Sequence, residues 1–199
     1  MIKPFIVFEG VDGAGKSEVS TRVAKQLNAI HLESPIGEFR TIRKYVDTSL
    51  NDTSRFLFYL ASNFDLSEYV RKKRKHEAVI CARYFHSTII GYASRQDINI
   101  DDIYKNLPTS LENLETPNKT IFLYVNEKAQ KDRIQSRGDE NNSPTDYKCL
   151  RDQRYRQALF NNYCKIAEKE NWIYIDTSSI SIENVVNACV DEILKYNKS

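Results

Sequence analysis

The stretch Phe5-Ile-Val-Phe-Glu9, followed by Gly10-Val-Asp-Gly-Ala-Gly-Lys16-Ser17, decides how the chain is read. The first five residues form a short apolar run of aromatic and β-branched side chains, the pattern of a buried strand. The next eight have the spacing G-x-x-x-x-G-K-S. Residues 16–28 then place Val19, Val23, Ala24 and Leu27 on one helical face. Strand, glycine turn and helix are the context in which this spacing has a physical meaning. The turn aims successive backbone N–H groups at phosphate oxygens, and the helix adds its positive end at the same place. Lys16 supplies a charge for the β- and γ-phosphates and Ser17 a hydroxyl for Mg²⁺. Three of the six glycines fall within this one window, which points to close backbone approach to a ligand.

Working outward, apolar strands are expected at 29–32, 78–82, 120–125 and 172–175, and helices at 37–49, 53–75, 86–96, 127–137, 147–170 and 181–196. Residues 97–118 are polar and ambiguous, and 138–146 read as a polar loop. Strands alternating with helices, without a hairpin signal, predict a three-layer α/β/α fold around a five-stranded parallel sheet. No stretch marks a boundary, so residues 1–199 are expected to form one domain with a mobile lid at about 133–147.

The chain has 199 residues, with 29 Lys and Arg against 27 Asp and Glu, a net charge of +2. That balance argues against a protein that coats nucleic acid. No uninterrupted apolar stretch is long enough for a membrane span, and no secretory leader is recognisable. The cysteines, Cys81, Cys149, Cys164 and Cys189, have no metal-pair spacing and read as reduced thiols of a cytoplasmic protein. The run Arg71 to Lys75 reads as a solvated helix end, and His31, His76 and His86 have no metal spacing.

A guanine-recognition Asn-Lys-x-Asp motif is missing, and the length suits a small-molecule kinase better than a helicase. Phe5-Ile-Val-Phe-Glu-Gly-Val-Asp-Gly-Ala-Gly-Lys-Ser17 resembles the opening of the thymidylate kinase family. Ala82-Arg83-Tyr84 with Ser87, Asp132-Arg133 with Arg137-Gly138, and Asp176-Thr177-Ser178 are similar to its later motifs, so the resemblance runs the length of the chain. It implies ATP-dependent phosphoryl transfer to a nucleoside monophosphate, dTMP or a relative, with Mg²⁺, in a homodimer.

The resemblance also implies roles for particular residues. ATP phosphates would lie on Gly10, Val11, Asp12, Gly13, Ala14, Gly15, Lys16 and Ser17, with Arg133 and Thr177 also on the donor. Arg83, Tyr84, Ser87 and Arg40 would bind the acceptor and Asp12 its sugar hydroxyl; Phe58 would either stack on its base or, as an aromatic on an apolar helical face, belong to the core. Lys16, Arg133 and Arg137 would stabilise the transferring phosphoryl group, because the loop has no arginine of its own. Arg83 has a plainer reading as a sheet-edge arginine paired with a carboxylate, and Asp12 as a turn residue.

Three departures bear on the acceptor. Position 82 is Ala where the family has Asp, no Arg occurs at Ala61-Ser62-Asn63, and Ile90-Gly91-Tyr92 replaces an Ala-Tyr-Gln stretch. The donor half is intact and the acceptor half altered, so the acceptor need not be dTMP. Glu9 keeps a second reading open, as a base towards the 5′-hydroxyl of a deoxynucleoside or another small metabolite. A third reading is a nucleotide-binding paralogue without catalysis, motivated by Ala82.

Overall fold

The computed structural model describes residues 2–107, 109–138, 140 and 142–196. Strands β1 (Phe5–Glu9), β2 (Ile30–Glu33), β3 (Val79–Ala82), β4 (Lys119–Tyr124) and β5 (Ile173–Asp176) form one sheet in the order β2-β3-β1-β4-β5. Every neighbouring pair is parallel. The apolar run of β1 is buried along its whole length because it lies at the centre of the sheet with helices over both faces. This is the expected three-layer parallel α/β architecture.

Helices α1 (Lys16–Gln26) and α10 (Ile182–Tyr196) pack together over one face. Ile6, Phe8, Ile80, Val19 and Val23 belong to the larger core cluster. Helices α4 (Asp52–Lys73), α5 (Phe85–Gln96) and α9 (Gln153–Lys169) run side by side over the other face. There Phe5, Val7, Val79 and Cys81 meet Leu66 and Val70 of α4, and Phe122 stacks on Tyr163 of α9 at 5.7 Å. The remaining helices are α2 (Gly37–Thr41), α3 (Arg43–Ser49), α6 (Ile100–Asn106), α7 (Glu127–Ser136) and α8 (Pro144–Arg151). Among the described residues no helix is long and apolar enough to cross a membrane, and all four cysteines are free thiols.

Three expectations change. The helix expected over 37–49 breaks at Ile42 into α2 and α3. The helix expected over 147–170 is two helices, and the first begins inside the stretch read as a polar loop. Ser143 and Asp146 cap the start of α8 reciprocally, with Pro144 in its first turn, so the polar residues nucleate a helix. Asp152 then interrupts the run and caps α9, its carboxylate accepting from Tyr155 N at 3.0 Å. Finally, the Arg71–Lys75 run is not wholly solvated. Arg74 is buried, donating to Glu115 at 2.6 Å, Asn118 at 2.6 Å and the Lys3 carbonyl at 2.9 Å.

Candidate active site

The Gly10–Ser17 loop leaves the carboxyl end of β1 and enters α1. Gly10 has φ +143, and a Cβ there would lie 2.4 Å from the Leu123 carbonyl oxygen, so no side chain fits between this turn and β4. Neighbours hold the loop's carbonyls. Gln130 Nε2 donates to Asp12 O at 2.8 Å, Arg133 Nη1 to Gly13 O at 3.2 Å, and Thr177 Oγ1 lies 3.3 Å from Ala14 O. With these carbonyls occupied by α7 and Thr177, and only the Ala14 N–H turned back to Val11 O at 3.3 Å, the turn's other amides are left for an anion.

Lys16 is 6% exposed and donates from Nζ to Val11 O at 2.6 Å. Burial lowers its pKa most, and the Arg83 charge lowers it further. Asp12, Glu9 and Asp146 only partly offset these effects, leaving a value of about 7. An ammonium held so close to neutrality is poised to be recharged by an arriving polyphosphate.

Arg83 stands at the carboxyl end of β3, beside β1, with φ +69. Its backbone N–H bonds Phe8 O at 2.9 Å, and its guanidinium pairs with the Asp12 carboxylate. Burial alone would raise the Asp12 pKa, but Arg83 and Lys16 outweigh it and hold the value at about 2. Cation and carboxylate thus stand at the mouth of the phosphate loop, on the wall of a cleft.

The cleft runs from Gly10, Val11 and Asp12 past Ser34 and Ser87 to the inner faces of α4, α5 and α9. Among its aromatic lining residues, Phe56 stacks on Tyr92 with centroids 4.4 Å apart. Its further cations are Arg43, Arg55 and Arg95. Arg43 lies 3.3 Å and Arg55 3.0 Å from Asp47, and Arg95 lies 3.7 Å from Asp52.

Several expected site residues lie elsewhere. Phe58 packs against Phe39 at 5.3 Å and is outside the cleft; Phe56 takes the place at the wall. Arg40 is 64% exposed, 3.5 Å from Glu33, and also outside; Arg43 lines the cleft instead. Tyr84 borders the cleft, but its ring packs edge-on against Phe5 and Phe85. Glu9 is fully buried and accepts from Tyr84 N at 3.0 Å, Ser87 N at 3.3 Å and the Ser87 hydroxyl. Burial raises its pKa, opposed by Ser87, Tyr84, Arg83 and Lys16. It anchors the start of α5 to β1.

Arg133 is also occupied. It donates to Gly13 O, to Thr177 Oγ1 at 2.9 Å and to the Thr177 carbonyl. Here it braces the loop against the β5–α10 turn. Arg137 lies 3.6 Å from the buried Asp146 carboxylate.

Arg55, Arg95, Phe56 and Tyr155 line the cleft without having been singled out in the sequence. The readable signal was the i, i+4, i+8 spacing of Ser87, Gly91 and Arg95 on α5. No arginine stands at 61–63. Asn63 is buried and donates to Thr88 Oγ1 at 2.9 Å, while Arg55 and Arg95 reach the cleft from α4 and α5.

Sheet order, phosphate loop and facing cleft together define a phosphotransferase of the P-loop nucleoside monophosphate kinase class. The family model for thymidylate kinase matches residues 8–189, and the chain belongs to that family. It is 30% identical over 198 residues to a probable thymidylate kinase of Methanococcus maripaludis, covering 95% of this chain and 96% of the relative. It is 26% identical over 199 residues to a probable thymidylate kinase of Methanocaldococcus jannaschii, covering 98% and 96%. The solved thymidylate kinase of Candida albicans shares the fold with a TM-score of 0.75 at 20% identity, over 99% of this chain and 93% of that one.

Proposed function

We propose that the protein transfers the γ-phosphoryl group of ATP to dTMP, giving dTDP and ADP. The observation that carries this reading is the placing of Arg83 and Asp12 at the junction of the phosphate loop and the cleft. A donor triphosphate on the loop and an acceptor phosphate on Arg83 would meet there. Two anionic groups repel as they approach, and a guanidinium fork with its matched N–H donors offsets that repulsion better than a point charge. Asp12, ionised across the physiological range, is suited to accept from a sugar hydroxyl.

Lys16 would take the β- and γ-phosphate oxygens, giving up its bond to Val11 O. The charge spread over the equatorial oxygens in the transition state then meets a cation already in position. Arg133 and Arg137 contribute to the transferring group in this reading only if the 133–147 segment rearranges as a lid, leaving Thr177 and Asp146. A homodimer through the outer face of α4, where Leu57 and Tyr69 are exposed, completes the reading.

Among the described residues no group of three His, Cys, Asp or Glu side chains is arranged to hold a metal. The exposed Ser17 at the start of α1 fits Mg²⁺ as a single protein ligand, because this ion keeps several waters and binds through phosphate oxygens. Bound there, it would neutralise charge on the β- and γ-phosphates. Ala82 adds no carboxylate to that shell.

The nucleoside reading is disfavoured by the three hydrogen bonds that occupy Glu9. ADP release measured with dTMP, dUMP, dCMP and thymidine tests the choice. Release is expected with dTMP and not with thymidine. Turnover of thymidine without dTMP would assign the chain to the nucleoside kinases, and nucleotide binding with no turnover would favour the non-catalytic reading.

A further inference from the structure

Arg95 sits in the cleft in a way that the rest of α5 is arranged to permit. Gly91 is one turn earlier on the same helical face, in the interior of the helix, where glycine is unfavourable relative to alanine. A Cβ built at Gly91 would lie 3.2 Å from Arg95 Nη1. The guanidinium folds back close against this bare turn, donating from Nη1 to the Gly91 carbonyl at 3.2 Å. From the opposite wall Thr145, in the first turn of α8, accepts from Arg95 Nη2 at 2.6 Å and from Arg55 Nη2 at 3.1 Å. The guanidinium carbon lies 5.6 Å from the centre of the Tyr155 ring. Tyr155 is 3% exposed and lines the cleft, and its buried hydroxyl has no hydrogen-bond partner among the described residues. A polar group so deeply buried and left unsatisfied beside an open cleft is explained by a ligand that completes it.

We infer that Gly91 and Thr145 are positioning residues that seat Arg95 beside Tyr155, where the two side chains bind an oxygen of the acceptor's nucleoside part, away from the phosphate held by Arg83. This rests on the reading of the cleft as the acceptor site. Arg95 supplies fixed N–H donors, and the Tyr155 hydroxyl can donate or accept beside it. Selectivity follows because an acceptor lacking the matching oxygen leaves the buried Tyr155 hydroxyl unpaired.

The test is steady-state kinetics of the full chain with ATP and dTMP, comparing wild type with Gly91→Ala, Thr145→Val and Thr145→Ser. Gly91→Ala places a methyl 3.2 Å from Nη1, closer than ordinary van der Waals contact, so the guanidinium must move away from its seat. Its KM for dTMP is expected to rise about tenfold, corresponding to one lost hydrogen-bond contact, while the KM for ATP stays within about twofold. Alanine suits a helix interior better than glycine, so the melting temperature should not fall. Loss of acceptor affinity in a protein no less stable separates this effect from misfolding. Thr145→Val should show the same selective rise, and Thr145→Ser, which keeps the hydroxyl, should restore wild-type KM. An unchanged KM for dTMP in Gly91→Ala and Thr145→Val, in an active wild type, overturns the inference alone. An equal rise in both KM values also overturns it. A wild type that phosphorylates no monophosphate overturns the acceptor reading and this inference with it.

Discussion

Filling the phosphate loop should charge Lys16, and the proton it takes up can be counted. In the empty loop its pKa is held at about 7, first by burial and then by the Arg83 charge. A bound triphosphate brings several negative charges to the ammonium and returns the pKa towards the ordinary lysine range near 10.4. At pH 8 only about one empty loop in eleven carries the proton, so binding should draw in about 0.9 proton per nucleotide. The sign follows from the bound state holding more protons: affinity falls as pH rises above 7. From pH 8 to 9 the loss is about ninefold, or about 1.3 kcal/mol. Stability of the nucleotide-free protein has the opposite slope. The unfolded chain binds this proton more tightly than the folded one, so the penalty of burying the ammonium is relieved between about pH 7 and 10.4. Calorimetric titration with ATP at pH 8 in two buffers of different ionisation heat reads the uptake directly, and Lys16→Met supplies the blank. Uptake below about 0.2 proton in the wild type would refute the claim that Lys16 is largely neutral in the empty loop.

Three further predictions concern acceptor binding and stability. Arg83→Ala should raise the KM for dTMP by about 10- to 100-fold, the loss of a bidentate phosphate contact, with little change in ATP affinity; an unchanged KM would remove Arg83 from the acceptor site. Asp152→Ala should lower stability in urea by about 1 kcal/mol, because the first turn of α9 loses its cap; an unchanged midpoint would show that the break between α8 and α9 does not depend on it. Phe122→Ala should cost about 3–5 kcal/mol, because the ring is fully buried and stacked on Tyr163; a loss below about 1 kcal/mol would mean that the layer between β4 and α9 collapses to fill the hole.

The central frame was legible because its signals are local. The apolar run of β1, the glycines of the loop and the stripe of α1 each report on a few neighbouring residues, and the motif spacing binds them into one unit. The helix at 144–151 was equally local but was hidden by composition. Ser143, Pro144 and Asp146 are polar or turn-forming, yet together they are capping chemistry that starts a helix. The acceptor wall was harder, because it depends on which way a helix faces. Phe56 and Phe58 are two residues apart on α4, about 200° around the axis, and the structure selects the first. Likewise the break at Ile42 carries Arg43 to the cleft and leaves Arg40 outside. The burial of Arg74 depends on Glu115 and Asn118, some forty residues further along, and no local pattern announces it.

The central claim is a direct one: the phosphoryl group crosses from the loop to an acceptor held at Arg83. Incubating the protein with γ-labelled ATP, Mg²⁺ and dTMP, and separating the nucleotides, tests it most directly. The label should appear in dTDP in step with ADP formation, and Lys16→Ala should abolish the transfer. Label that remains in ATP, or that is released only as inorganic phosphate whether or not dTMP is present, would contradict it.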